Sequence, residues 1–393
     1  MTIASAATTR PSLALDKLGV LIALVAAAGA VLPFSVFRPT RIAAGEGRML
    51  TEALAALPAG VMIAAVVIGS LVAVARFPTT VKLAVSFVVL AVLFVLIGQS
   101  ATYLTPPDNT FARVSPGAGF WLLTFAFALM VTDALTRLRF GPWARSGILA
   151  AVAVALGLLL RSGVWNDLSI LKEYANRAAA FWNEGRTHLL LAFGSVAVAT
   201  IGGVPLGILC HRVRPLRAGV LNVLNIIQTI PSIALFGLLI APLAWVAAHV
   251  PGASALGISG IGIAPAMVAL FAYSLLPIVA NTVVGLENVP EAAEDAARGM
   301  GMTNGQRLMG VELPLAFPVI LTGIRIVLVQ NIGMATIAAL IGGGGFGVFV
   351  FQGIGQTAMD LVLLGAVPTV ALAFAAAVVL DAFVEMVSVG GRK

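Results

Sequence analysis

Few residues of this chain stand where chemistry is possible, and their types point away from bond-making. Arg325 lies inside an apolar run, with Gln330 and Asn331 one or two turns further on. It follows Pro314 by eleven residues, which at ~1.5 Å per residue puts it about 16 Å into a helix. A charge at that depth of a bilayer costs several kcal/mol unless it is paired or hydrated. No compensating acid is evident, because Asp133, Asp360 and Asp381 fall towards the ends of their apolar runs. A structural pairing is the favoured reading; a cavity charge that meets a substrate carboxylate is the alternative. Gln228, Thr229 and Ser232 flank Pro231, which removes one backbone hydrogen bond and bends a helix. These side chains either repair the bend or line a pathway at it. Phe271, Tyr273, Phe346, Phe349 and Phe351 offer faces of the kind that attract quaternary ammonium groups. Among 20 Phe residues, most such faces belong to the core or to lipid.

Covalent and metal chemistry lack their parts. The glycine-rich run 342–347 has no Gly-Lys-Ser/Thr opening a helix, so it is not a phosphate loop. It reads as a tight external turn or a re-entrant segment, and the chain is not expected to hydrolyse ATP by itself. Neither His-Glu-x-x-His nor Gly-x-Ser-x-Gly occurs, and no convincing acid–base pair lies at membrane depth. Cys210 is the one cysteine, which excludes an intramolecular disulfide and leaves too few ligands for a metal cluster. It reads as a small apolar filler. No cofactor is expected on this chain.

The elements that carry these residues are membrane helices. Of the 393 residues, 60% are hydrophobic and 10% charged, with a mean hydropathy of +1.06. Soluble domains carry about 25% charged residues, and a bilayer asks for about 20 apolar residues per helix. About ten such segments are present, near 18–36, 52–75, 82–104, 117–136, 146–161, 188–210, 218–247, 261–285, 315–341 and 360–387. The expected fold is therefore an all-α polytopic membrane protein of about ten transmembrane helices. The net charge of +7 is scattered over span ends, which marks topology and a membrane-lipid environment, not a nucleic-acid surface. Arg10 and Lys17 precede the first run. That pattern fits a signal peptide with a small-residue cleavage site or a retained first span, and the unbroken run through Val31, Leu32, Pro33 and Phe34 favours retention.

One polar stretch, 286–314, is patterned as folded helix between two spans. Leu286, Val289, Ala293, Ala296, Ala297 and Met300 recur at three- and four-residue steps, opposite Glu287, Glu291, Glu294, Asp295 and Arg298. Pro290 suits a first turn with Asn288 as cap, Gly301 a left-handed end, and Thr303 with Gln306 a capping box that starts a second short helix. Pro314 marks entry into the next span. Two short amphipathic helices joined at a glycine are too small to bury their own apolar face, so a partner must cover it.

Asp295, Ala296, Ala297, Gly301, Val311, Leu313 and Pro314 resemble the EAA loop of bacterial ABC importer permeases, with Asp where that family has Glu. The resemblance implies that Glu291, Glu294 and Asp295, with Ala296, Ala297, Gly301, Leu313 and Pro314, couple to a cytoplasmic ABC ATPase that binds ATP and Mg²⁺. Further likeness runs through Pro205 to Ile208, Ile227 to Leu235 and Ile341 to Gly347. It points to the branch that carries glycine betaine, choline, carnitine and proline betaine, and to a longer subgroup with extra N-terminal spans. It covers roughly half of the chain.

The division expected on these grounds is an N-terminal transmembrane region at 1–187 and a five-helix permease core at 188–393. The first region is expected to end in an external amphipathic helix, because 165–188 alternates Leu168, Leu171, Tyr174, Ala178, Phe181 and Trp182 with polar residues. With 286–314 placed in the cytoplasm, Arg76, Lys82, Arg137, Arg139, Arg145, Arg212, Arg214, Arg217, Arg392 and Lys393 fall inside, while 249–260 and 342–359 carry no Lys or Arg. The C-terminus is then cytoplasmic. Arg38, Arg41 and Arg48 dissent, as do Lys172, Arg177 and Arg186. The resemblance implies a bacterial inner membrane, a separate periplasmic or lipid-anchored binding protein, and a second permease copy or homologue forming a dimer. Gln228, Thr229, Pro231, Ser232, Tyr273, Arg325, Gln330 and Asn331 are the candidate pathway residues. A permease for methionine or sulfonates is the alternative within the family. An ion-coupled secondary transporter is the alternative outside it, and would need inverted repeats and midplane carboxylates.

Overall fold

The computed structural model describes residues 15–41, 43–109 and 111–390. Arg10, Arg392, Lys393 and the placement of the C-terminus lie outside the described residues. Among the described residues nine helices are long and apolar enough to cross a membrane, with a shorter apolar helix at Lys17–Ala30. The expected helical membrane architecture is thus what the fold contains. The chain forms two compact units, one of residues 1–140 and 154–172, the other of 141–153 and 173–393.

The first unit packs α1 (Lys17–Ala30), α2 (Leu50–Ala53), α3 (Ala56–Val74), α4 (Thr79–Leu104) and α5 (Ala118–Leu138) around Ile22, Ala26, Met62, Leu93 and Phe127. The first expected span, 18–36, is corrected: α1 has 14 residues and ends at Ala30, about 21 Å at the helical rise and short of the hydrocarbon thickness. Pro33 lacks the N–H a longer helix would need, and the chain leaves in extended form. That extended chain is the addition to an all-α plan. β1 (Ser35–Arg38) pairs antiparallel with β2 (Glu46–Arg48) and with β3 (Arg113–Pro116), in the order β2–β1–β3. The dissenting arginines are partly accounted for here. Arg48 pairs with Glu46 at 2.5 Å, and Lys172 lies 3.7 Å from Asp167, so two of these cations have a neighbouring acid within the first unit.

The second unit contains α6 (Pro142–Arg161) in part, α7 (Ser169–Leu189) for most of its length, α8 (Ser195–Arg212), α9 (Arg214–Thr229), α10 (Ser232–Leu238), α11 (Ile240–His249), α12 (Ile263–Glu287), α13 (Glu291–Gly299), α14 (Asn304–Arg307), α15 (Leu313–Met334), α16 (Gly347–Gly355) and α17 (Met359–Gly390). A π-turn at Leu190–Gly194 joins α7 to α8, so residue 187 lies inside continuous helix. The expected span 218–247 is instead three helices, interrupted at Pro231 and again at Leu239. Helices α8, α12, α15 and α17 pack in series. Where α8 meets α12, a Cβ at Gly207 would stand 2.5 Å from the Thr282 Cβ, so only glycine permits that approach. Large apolar side chains such as Ile201, Val223, Ile226, Val370 and Phe374 face outwards, as lipid contact requires.

Candidate functional site

The stretch 286–314 folds as its pattern requires in outline and differs in three details. Asn288 does not cap α13; it closes α12, its N–H bonded to the Val284 and Leu286 carbonyls. Pro290 takes the position before α13, whose first turn then holds Glu291 and Glu294 at the positive end of the helix dipole. Gly301 is left-handed at φ +75, and Met302 N–H returns to the Ala297 carbonyl at 3.1 Å. Thr303 and Gln306 form the capping box of α14. Pro314 is not a boundary, because a π-turn at Leu308–Glu312 joins α14 to α15.

The apolar face divides in two. Leu286 and Val289 are buried with Ala316 and Ile320, beside Leu308 and Leu313, and Ala297 is 1% exposed. Ala296 lies open, while Met300 and Met309 are 73% and 70% exposed. The acidic side is equally uncovered. Glu291 and Asp295 are exposed and Glu294 is half-buried, the last two held by Arg298 at 3.1 and 3.0 Å respectively. Exposed pairs of this kind contribute little to stability. A carboxylate row thus lies open beside two uncovered methionines.

What fixes this element is a group the sequence reading passed over. Glu312, 2% exposed, accepts from Arg307 Nε at 2.6 Å and from Arg212 Nη2 at 2.7 Å. The carboxylate thereby ties α14 and the π-turn to the end of α8. The clue was present: an acid two residues before Pro314 and an Arg at the end of an apolar run. Nothing in one-dimensional spacing joins positions 100 residues apart. Arg217 pairs with Glu287 in the same way, fixing the start of α9 to the end of α12.

Arg325 has its acid after all, and the expectation that Asp381 lay too far towards a span end is corrected. Arg325 Nη1 meets Asp381 Oδ1 at 2.5 Å, Arg145 Nη1 meets Asp381 Oδ2 at 2.6 Å, and Arg145 also pairs with Glu385. Arg145 stands in the first turn of α6, while Arg325 is the thirteenth of the 22 residues of α15. The 32-residue α17 is long enough to bring Asp381 there.

Asn331 is fully buried where α8, α12 and α15 meet, its amide donating to Ser195 Oγ and Ser274 Oγ, both at 2.8 Å. Gln330 is half-buried and reaches Met334 Sδ at 3.4 Å. At the Pro231 break the repair differs from expectation. The Ile227 carbonyl takes the Ile230 N–H at 3.3 Å, and Thr229 Oγ1 donates to the Ile226 carbonyl at 2.7 Å. The Ile230 carbonyl accepts from the Tyr273 hydroxyl, while Gln228 Nε2 donates to the Tyr273 carbonyl at 2.8 Å. Tyr273 is thus a buried strut between α12 and the break. Pro231 is exposed and Ser232 half-buried, with no partner reached by the serine hydroxyl among the described residues.

The glycine run closes a second tight site. Gly342, Gly344 and Gly345 all have positive φ, and Glu184 accepts the Gly345 N–H at 2.6 Å. Phe346 and Phe349 are buried against Phe181, with ring centroids 5.2 and 6.2 Å away. These two rings are packed core. The nine-residue α16 follows at once.

Residues 203–389 match the family described as the binding-protein-dependent transport system inner membrane component. Residues 16–171 match the N-terminal domain of the ABC transporter permease YehY. The osmoprotectant import permease protein OsmW of Salmonella typhimurium is 46% identical over 179 residues, 46% of this chain and 78% of that protein. The glycine betaine/carnitine/choline transport system permease protein OpuCB of Bacillus subtilis is 37% identical over 186 residues, 47% of this chain and 78% of that protein. Among solved structures, inward-facing MetNI methionine ABC transporter aligns with 24% identity over 53% of this chain and 95% of that chain, at a TM-score of 0.46.

Proposed function

The chain belongs to the binding-protein-dependent permease family of ABC importers, and from that premise we propose that it moves osmoprotectants such as glycine betaine, choline or related quaternary amines across the bacterial inner membrane. A cytoplasmic ATPase pair, holding ATP and Mg²⁺, grips the element formed by α13 and α14. The two ATPases act on two permeases, a second copy or a homologue, related by a two-fold axis. A separate periplasmic or lipid-anchored protein delivers the substrate. The permease core is the 188–393 region, rocking between inward- and outward-open states as packed helices do. The observation that carries this reading is the junction of opposites in 286–314: an open acidic and methionine face above a base clamped by Glu312.

The coupling test separates insertion from work. Gly301→Arg, and charge reversal at Glu291, Glu294 and Asp295 together, are expected to leave the chain in the membrane fraction while uptake and ATPase capture are lost. Reversed variants that still capture the ATPase and transport normally would overturn the assignment. The substrate is tested by titrating candidate binding proteins with glycine betaine, choline, carnitine, methionine and a sulfonate, with the quaternary amines expected to bind.

A further inference from the structure

The first unit contains a basic cavity that the coupling function does not use. It is open, with a volume of about 500 Å³, and is lined by Leu15, Asp16, Lys17, Arg76, Phe77, Thr79, Lys82 and Arg137. That volume lies within the usual range for small-molecule sites. The wall is built from three helix ends: the start of α1, the turn from α3 into α4, and the last turn of α5. Four cations face one carboxylate. Asp16 takes Lys82 at 2.9 Å and Arg137 at 3.5 Å, and Arg137 also takes Asp133 at 2.8 Å. Those two cations are therefore neutralised within the fold. Lys17 and Arg76 are exposed and have no hydrogen bond or ion pair among the described residues.

Other features aim the site at an anion held at a membrane surface. Helix α4 begins at Thr79, on the cavity wall, without a side-chain cap, so the positive end of its dipole lies beside the cavity. Phe77 and Leu15, on the rim, are 48% and 52% exposed. Further along α1, Leu21 and Leu24 face outwards at 51% and 64%, in the position of acyl-chain contacts. Cations and an uncapped helix start at the mouth, with apolar side chains running down from it, fit a phosphodiester headgroup whose acyl chains follow the helix. We propose that this cavity binds the headgroup of an anionic phospholipid, with Lys17 and Arg76 taking the phosphate and Lys82 and Arg137 fixing the wall through Asp16.

The full chain, purified in zwitterionic detergent, is titrated with dioctanoyl phosphatidylglycerol, dioctanoyl phosphatidylcholine or inorganic phosphate while its thermal unfolding is followed. Stabilisation that saturates with the phosphatidylglycerol alone is expected. Each surface cation contributes roughly a factor of five to anionic-lipid binding, so the Lys17→Gln/Arg76→Gln double variant should need roughly 25-fold more lipid. Arg139→Gln, at the same helix end but outside the cavity, should respond as the parent does. Native mass spectrometry of the same preparations should retain phosphatidylglycerol on the parent and lose it from the double variant, whatever the variant's intrinsic stability. Equal stabilisation by phosphatidylcholine, full competition by inorganic phosphate, or an unchanged double variant would each overturn the proposal. Inorganic phosphate acting alone would make the occupant a soluble anion.

Discussion

Glu312 shows how much can depend on one side chain here. Its carboxylate is shared by two guanidiniums of which Arg307 is nearly buried. Removing one partner of a buried pair costs more than the pair contributes, because a desolvated charge is left behind. Glu312→Gln keeps the shape and loses the charge, and is expected to destabilise the chain by about 3 kcal/mol, read as a lower Tm in detergent. Uptake should fall with it, since the base of the α13 and α14 element loosens. Asp16 offers a second, pH-dependent case. The hydrogen bond from Lys82 Nζ holds its carboxyl below the usual aspartate value of 3.8, burial opposes this, and the charges of Lys82 and Arg137 assist. A group with a lowered folded pKa adds stability above its unfolded pKa and loses it as pH falls through the folded one. The Tm gap between the parent and Asp16→Asn should therefore be full at pH 7 and should close below about pH 4. Melting curves from pH 7 to pH 3 check this.

At the scale of elements, the interruption at Pro231 and the left-handed Gly301 divide the second unit into rigid pieces. The interruption is held by Tyr273, whose hydroxyl reaches the Ile230 carbonyl from α12. Tyr273→Phe keeps the ring and orphans that carbonyl, an expected loss of about 1–2 kcal/mol, measurable as a lower Tm with unchanged membrane insertion. Gly301 has open space around its missing Cβ, so its requirement is purely conformational. Any other residue there pays roughly 1 kcal/mol for φ > 0 and redirects the chain between α13 and α14. The short helices are not an independent module. Their inward side is finished by Leu308, Leu313 and Ala316 of the following segment, so the element moves with the spans that bear it.

For the molecule as a whole, orientation is the property from which the rest follows. The first unit brings Lys17, Arg76, Lys82 and Arg137 to one cavity, which agrees with the sign pattern that assigns Arg76, Lys82 and Arg137 to the inside. Single cysteines placed in a Cys210→Ser background test the orientation directly. An impermeant maleimide should label Ser254→Cys and Thr357→Cys on intact cells, both positions being exposed. Asn304→Cys, also exposed, should react only after permeabilisation. Labelling of Asn304→Cys from outside would invert the topology and remove the ATPase from reach of α13.

The class, most of the span positions and the internal order of 286–314 were legible in one dimension, because each rests on local rules. Apolar run length, three- and four-residue periodicity, a glycine stop and a capping box are all read within some 20 residues. Which charges meet depends on packing between distant segments. Arg325 and Asp381 are 56 positions apart, Arg212 and Glu312 100, and Arg145 and Asp381 236. The strands of β1 to β3 were equally hidden, being three or four residues each, too short for alternation to register. Ion pairs and sheets are made by closure in space, and no one-dimensional period records which distant segments a membrane fold brings together.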